Sequence, residues 1–389
     1  MKILQVISSF PPAYSYGGPA KMAFEISKKL VLRGHQVTVF TTDTLNSQSR
    51  IDELVEIVDG IKIFRFKNIS NNLASKNFPL AFGMNQALRE NIKDFDIVHI
   101  HEYRSLQAQF TSHHAKKNNV PYIVQARGSV LPFFEKKCLK YCYDFIWGKK
   151  ILDYAHKVMA LTEEEACQYK QMGVIQEKIT IIPNGIDLIH YRNLPKKGHL
   201  HEKYQIPREN KIILFFGRIH KIKGINLLLE AYCEVQKTVE NATLVIVGPD
   251  EGCQKQLKNH AKELSISNKV IFTGPLYGQD KLSAYIDADV YVLPSEYESF
   301  SNTVLEAWAC GIPVIITDSC ALSPMITKEK AGIVVKRDPV ELSYAIQRIL
   351  KENKLKVMIN AKGRELIEGD YNIENVVEKI ESCYHNIII

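Results

Sequence analysis

Glu298 and Glu306 are the two residues whose type and spacing ask most directly for a chemical reading. They bracket an expected helix start. Val290 to Leu293 is an apolar, β-branched run that stops at Pro294, and Ser299, Ser301 and Asn302 can each cap a helix. The helix is predicted over Thr303 to Cys310, with Gly311 just past its end and Pro313 blocking continuation. Val314 to Ile316 then reads as another buried strand, so the unit is strand–loop–helix–strand, as in an open parallel sheet. In such a sheet ligands bind in the loops at the carboxyl ends of strands. A helix N-terminus there offers unpaired N–H groups and roughly half a positive charge, which suits phosphate. Carboxylates would repel phosphate, so hydroxyls are the natural partners of Glu298 and Glu306. A sugar nucleotide has that layout, with phosphates in the middle and polyols at both ends. The plainer alternative is a loop charge and a solvated helix residue. Val304, Leu305, Ala307 and Trp308 around Glu306 argue for burial instead, and a buried carboxylate needs donors.

The seven-residue interval between the two glutamates resembles the E-x7-E signature of GT4-type retaining glycosyltransferases, the group 1 family with the GT-B fold. Phe300, Asn302, Leu305, Ala307, Gly311, Pro313 and Val314 are similar to the same pattern. The resemblance implies that Glu298 faces the donor sugar and Glu306 holds the ribose. It also implies that backbone N–H groups between them, at Phe300, Ser301, Asn302 and Thr303, face sugar and diphosphate.

Further loops fall at expected strand ends. Lys2 to Ser8 reads as a first strand, and Gly17-Gly18 opens the following helix, where backbone can approach a phosphate closely. Lys211 to Phe216 opens the second half. Behind it, Arg218 and Lys223 form an expected phosphate clamp, Arg bidentate and Lys a point charge. Gly248, after the strand Ala242 to Val247, and Leu276, after Val270 to Phe272, complete the donor side that the resemblance implies. His101 and Glu102 end the strand Asp96 to Ile100. Arg127 ends Tyr122 to Gln125, and Asn184 follows Lys178 to Pro183. His101, Arg127 and Asn184 make the acceptor side. Many relatives carry His-Gly where this chain has Arg127-Gly128, and an Arg, always protonated, is no general base. Arg127 is therefore expected to pair with a phosphate or carboxylate, which sets aside the role of that His. His99 and His101 alternate along one strand without a third ligand at suitable spacing, so no metal and no cofactor are expected.

At 389 residues the chain fits two domains. The expected division is an acceptor-side Rossmann-like domain over 1–190, a linker over 191–210, and a nucleotide-sugar domain over 211–370. A tail helix over 371–389 then crosses back onto the first domain. With a 46% apolar and 24% charged composition, and no 18-residue apolar run, the chain reads as globular without a spanning helix. The N-terminus is too short in apolar residues for a signal core. Eight scattered cysteines without CxxC point to reduced thiols and a cytosolic setting. The charge is uneven: residues 1–190 hold 24 Lys+Arg and 18 Asp+Glu, a net +6 of the total +7. That excess points to an anionic membrane or a phosphate-bearing acceptor, and no motif supports nucleic acid. Leu131 to Lys150 interleaves five lysines with aromatics. It reads either as a core-facing helix or as a face resting on an anionic bilayer.

These features give an α/β, GT-B reading: two Rossmann-like domains facing a central cleft. The expected activity is metal-independent transfer of a hexose-type sugar, with retention, to a glycan or lipid-linked acceptor. By family analogy this belongs to bacterial surface polysaccharide synthesis at the inner face of the membrane. A non-catalytic sugar-nucleotide sensor or scaffold and a GT-B-type epimerase are the alternatives, because fold alone excludes neither.

Overall fold

The computed structural model describes residues 1–13, 18–46, 48–75, 79–132 and 137–388. Two compact units emerge, Met1–Gly185 with Ile373–Ile389, and Ile186–Asn372.

The first unit is built on an eight-stranded sheet. Its strands are β1 (Lys2–Val6), β2 (Gln36–Thr42), β3 (Val55–Val58), β4 (Ile61–Phe66), β5 (Ile97–His101), β6 (Tyr122–Gln125), β7 (Lys157–Ala160) and β8 (Ile179–Ile181). The order is β3-β4-β2-β1-β5-β6-β7-β8, parallel except for the antiparallel β3–β4 pair. Parallel strands covered on both faces read as continuous apolar runs, and β5 and β6 are buried throughout. The connection leaves β1 toward β2 on one side and returns to β5 on the other. A topological switch point therefore lies between the carboxyl ends of β1 and β5.

The C-terminal helix Ile373–Ile388 completes this unit's core. Ile373, Val376, Val377, Ile380 and Tyr384 pack with Ile3, Ile7, Ile26 and Leu30. Its polar side is tied by Lys29–Glu374 at 2.7 Å and Arg33–Glu381 at 2.7 Å. Gly185 is required here, since a Cβ would lie 2.7 Å from the Ile373 Cα.

The second unit carries β9 (Lys211–Phe216), β10 (Ala242–Val247), β11 (Val270–Gly274), β12 (Val290–Leu293), β13 (Val314–Thr317) and β14 (Ile333–Val335). All are parallel, in the order β11-β10-β9-β12-β13-β14, with a switch point between β9 and β12.

The structure departs from the sequence expectations at four places. The β3–β4 hairpin was not anticipated; it turns at Asp59 and Gly60, both at positive φ (50° and 77°). Residues 191–210 are not a free linker: the helix His199–Lys203 lies there, Leu200 is buried, and Asp287 accepts the Gly198 and Leu200 N–H groups at 2.6 Å. Asn68 to Asn77, where no element is predicted, holds local structure, because buried Asn68 ties Ser70 and Leu80 and a helix spans Asn71–Ser75; Lys76 and Asn77 lie outside the described residues. Leu131 to Lys150 is no single core helix: helices Lys137–Tyr143 and Lys149–Tyr154 flank a π turn at Asp144–Gly148. Leu139, Tyr141 and Phe145 are 69%, 62% and 89% exposed, so the apolar side faces solvent. Phe133, Phe134, Glu135 and Lys136 lie outside the described residues.

Candidate functional site

The second unit's switch point gathers the residues with chemistry. β9 runs out at Phe216 and its loop carries Arg218 and Lys223; β12 runs out at Leu293 and its loop carries Glu296, Glu298 and Ser301. The two loops are sewn together across the gap between their strands. Glu296 N–H donates to the Ile222 carbonyl at 2.8 Å. Gly224, at φ +66°, lies so close to Pro294 that a Cβ would fall 1.9 Å from its carbonyl oxygen. Glu298 is held from the other side, where its carbonyl accepts from Ala321 N–H at 2.8 Å.

In this frame Lys223 Nζ donates to the Glu298 carboxylate, with both side chains about one-sixth exposed (15% and 16%). Arg218 stands further out, 51% exposed, and its Nη1 reaches both Glu251 oxygens at 2.8 and 3.0 Å. Screening leaves that exposed pair little strength. Arg218 and Lys223 thus share one strand-to-helix loop but hold separate carboxylates here.

The helix Asn302–Ala309 starts beside Glu298. Ser301 occupies the N-cap without a capping bond from its side chain, and the first turn holds no acidic residue. Its Oγ meets Thr303 Oγ1 at 2.8 Å instead, and Thr303 meets the Tyr291 hydroxyl at 2.5 Å. Phe300 is buried with its ring 6.0 Å from that of Tyr371, so its side chain belongs to the core. Glu306 is 7% exposed and satisfied: Lys281 Nζ donates to Oε1 and the Tyr285 hydroxyl to Oε2 at 3.0 Å. Burial beside that carboxylate pushes the Tyr285 phenol well up, which keeps it a donor. The Lys281 ammonium also stands 5.6 Å from the Phe216 ring centre. Lys281 and Tyr285 were missed, because nothing local marks a helix lying 21 to 25 residues upstream of Glu306. Gly248 has a packing explanation, since a Cβ would fall 1.8 Å from the Gly217 carbonyl oxygen. Leu276 is buried after β11.

The acceptor-side residues lie in the first unit, where a buried polar stack underlies the ends of β1, β5 and β6. His101 is wholly buried, which corrects its placement against an acceptor. Its Nδ1 accepts from the Arg127 Nη2 at 2.9 Å, and its Nε2 meets Gln5 Oε1. That arrangement fixes a neutral ring protonated on Nε2, and burial holds the imidazole well below its ordinary pKa. His99 stacks on it at 4.0 Å, bonds Tyr384 through Nδ1 at 2.7 Å, and is lowered by burial to about 3. Arg127 also donates to Asn184 Oδ1 at 3.0 Å, so Asn184 and His101 both orient the guanidinium. Burial lowers Arg127 to about 10, leaving it cationic at neutral pH. Glu165 pins the loop by accepting from Gly128 N–H at 2.5 Å. Gly18 begins the helix Gly18–Leu32, while Gly17 lies outside the described residues.

With this geometry in place, the chain can be set beside known proteins. The family described as "Glycosyltransferase Family 4" matches residues 16–189, and "Glycosyl transferases group 1" matches residues 196–366. An uncharacterised glycosyltransferase of Methanocaldococcus jannaschii is 25% identical, covering 99% of this chain and 98% of its own. An Escherichia coli UDP-Gal:alpha-D-GlcNAc-diphosphoundecaprenol alpha-1,3-galactosyltransferase is 22% identical over 85% of each chain. Among solved structures, Anabaena Alr3699/HepE in complex with UDP-glucose has a TM-score of 0.79 at 18% identity, covering 99% of this chain and 100% of its own.

Proposed function

The chain belongs to the family 4, or group 1, glycosyltransferases and has their GT-B fold, and on that premise we propose the reaction. It moves a hexose-type sugar from a nucleotide diphosphate sugar to a hydroxyl of a glycan or lipid-linked acceptor, with retention at the anomeric carbon. The observation that carries this reading is the Lys223–Glu298 pair at the second unit's switch point, beside a helix start that Ser301 does not cap. Glu306, one helix turn inside, supplies a second carboxylate.

The donor exchanges these partners for its own. Its diphosphate takes Lys223, Arg218 and the helix N–H groups, and its hydroxyls take Glu298 and Glu306. As the bond from the anomeric carbon to phosphate oxygen breaks, charge grows on the leaving diphosphate. Lys223, Arg218 and the helix dipole stabilise that charge. The acceptor oxygen bonds to the same carbon from the same face, and its proton passes to the leaving phosphate oxygen. Because the neutralising charges come from side chains and backbone, the proposal needs no metal. The neighbour bound to UDP-glucose supports a uridine donor, and the relative acting on a diphosphoundecaprenol-linked sugar supports a lipid-linked acceptor. That acceptor brings the chain to the inner face of a bacterial membrane, in surface polysaccharide assembly. No helix among the described residues is long and apolar enough to cross a membrane. Contact is proposed through the solvent-facing segment around Phe145.

Calorimetry with UDP and GDP, then UDP-glucose and UDP-galactose with a short-chain prenyl-diphosphate-linked N-acetylglucosamine, tests the reading. NMR of the product should show the donor's anomeric configuration, and excess EDTA should leave the rate unchanged. Nucleotide binding without turnover would make the protein a sensor. A donor sugar returned with altered configuration would make it an epimerase.

A further inference from the structure

Seven non-glycine residues among those described have positive φ. Five occupy turns or helix ends: Asp59 in the β3–β4 hairpin, and Asn119, Gln205, Ser265 and Lys330 just past helices. The other two, Glu102 (φ 134°) and Arg127 (φ 50°), sit one residue and two residues past the adjacent strands β5 and β6. A non-glycine residue held this way at a strand's carboxyl end is the kind of strain that collects at ligand sites. Glu102 also stands at the first unit's switch point. The Ser8 hydroxyl, from the loop after β1, donates to its Oε2 across the gap between β1 and β5. The second unit has the same construction, where Lys223 from the loop after β9 reaches Glu298 after β12.

The surroundings limit what Glu102 can do. Glu102 and Ser8 are both half-buried, unlike the wholly buried His99 and His101 beneath them. Among the described residues Ser8 supplies the hydrogen bonds to this carboxylate, through its hydroxyl to Oε2 and through its backbone N–H. Arg127 makes its hydrogen bonds to His101 and Asn184, so its charge lies near Glu102 while its donors point elsewhere. An ionised carboxylate accepts only and has about four lone-pair sites, so beside the Ser8 donors it keeps capacity for a hydroxyl.

Resting on the glycosyltransferase reading above, we propose that Glu102 binds an acceptor hydroxyl and sets its oxygen for attack, with Ser8 orienting the carboxylate. The acceptor class is thereby narrowed to molecules that present a second hydrogen-bonding hydroxyl, or the reacting hydroxyl itself, to the end of β5. Burial raises the Glu102 acid to about 7, so the ionised form is present at pH 8.

The test uses full-length protein at pH 8 with UDP-galactose or UDP-glucose and the prenyl-diphosphate-linked N-acetylglucosamine. Glu102→Gln should lower kcat/KM for the acceptor about 100-fold, Ser8→Ala about 10-fold, and Glu102→Asp should recover part of the loss. UDP affinity, measured by calorimetry, should stay within about twofold in all three, and Glu102→Gln should melt no lower than wild type. Transfer by Glu102→Gln within about twofold of wild type overturns the proposal while leaving the transferase reading intact. Loss of UDP binding or of melting temperature in step with activity makes Glu102 structural and also overturns it. Wild-type protein that binds UDP but transfers to no probe overturns the transferase reading, and the Glu102 role falls with it.

Discussion

Glu306 and Glu298 are both carboxylates paired with lysine, yet their surroundings assign them different energetics. Glu306 is the more enclosed, with a tyrosine hydroxyl as a second donor, so its charge is fully compensated before any ligand arrives. A ribose diol at this site must equal those bonds, and charge-assisted hydrogen bonds contribute about 1.5–3 kcal/mol each. Glu306→Gln should therefore weaken UDP binding by about 10-fold or more with the fold intact; calorimetry giving unchanged UDP and GDP affinities would remove the ribose role. Glu102 presents the opposite case, a carboxyl that burial raises from 4.5 to about 7 despite the Ser8 bond and the Arg127 charge. Between those values the unfolded chain has released the proton and the folded chain still holds it. Stability from this group is thus full below about pH 4.5, falls as pH rises, and is lost above about 7. The other groups near Glu102 do not titrate there: His99 and His101 stay neutral and Arg127 stays cationic. Glu102→Gln should match wild type in melting temperature at pH 4.5 and melt higher at pH 8, a stability difference of at most on the order of 3 kcal/mol. A difference independent of pH would show that the folded carboxyl titrates normally.

At the scale of elements, two loops meeting at a switch point make the site, and their meeting depends on Gly224. With φ +66° and the Pro294 carbonyl in the place of a Cβ, Gly224→Ala must push the Lys223 and Glu298 loops apart. A loss of about 2–4 kcal/mol in denaturant unfolding is expected, with UDP affinity falling alongside. Normal affinity in a destabilised protein would separate loop packing from ligand binding. How much of this was legible depends on how local each signal is. β6, β9, β10 and β12 have the bounds their runs indicate, since a buried parallel strand writes itself as a continuous run. The glutamate interval was legible because one loop and one helix contain it. The hairpin partner of β4 was overlooked although Asp59-Gly60 carries the turn signal, because Val55–Val58 is only four residues long and, with none of them fully buried, lacks a core-facing run. Lys281, Tyr285 and the pairing of Arg127 with His101 and Asn184 arise from strands and helices far apart in sequence, where spacing carries no information. Gly248 was assigned to a ligand, and backbone packing alone also requires glycine there; sequence cannot distinguish these two demands.

For the whole molecule the question is where its charge and exposed apolar surface coincide. Residues 1–190 carry +6 of the +7 net charge, and the segment Lys137–Tyr154 lies within them. Phe145 at 89%, Leu139 at 69%, Tyr141 at 62% and Ile146 at 47% exposure are large apolar side chains left in water. Lys137, Lys149 and Lys150 are exposed on the same segment. The π turn that presents Phe145 and Trp147 is anchored underneath, where Asp144 takes Arg104 at 2.7 Å and the Tyr103 hydroxyl. Gly148 leaves room for that anchor, since a Cβ would sit 2.8 Å from the Asp144 Oδ1. A rigid base under a solvated aromatic tip suits the headgroup level of a bilayer, and lysines near an anionic surface add about 1 kcal/mol each. On the membrane proposal two independent attractions act on one face, so removing either should be visible. Wild-type protein should float with phosphatidylglycerol-containing liposomes at low salt and less so at high salt. Lys137→Glu with Lys149→Glu and Lys150→Glu should abolish flotation, while Phe145→Ala should weaken it at both salt concentrations, because burying an aromatic ring is not screened. Calorimetric UDP affinity should be unchanged in both variants, which keeps a membrane role separate from the nucleotide site. Wild-type protein remaining with the soluble fraction on anionic liposomes at low salt would end the membrane proposal and leave the segment an exposed face of the first unit.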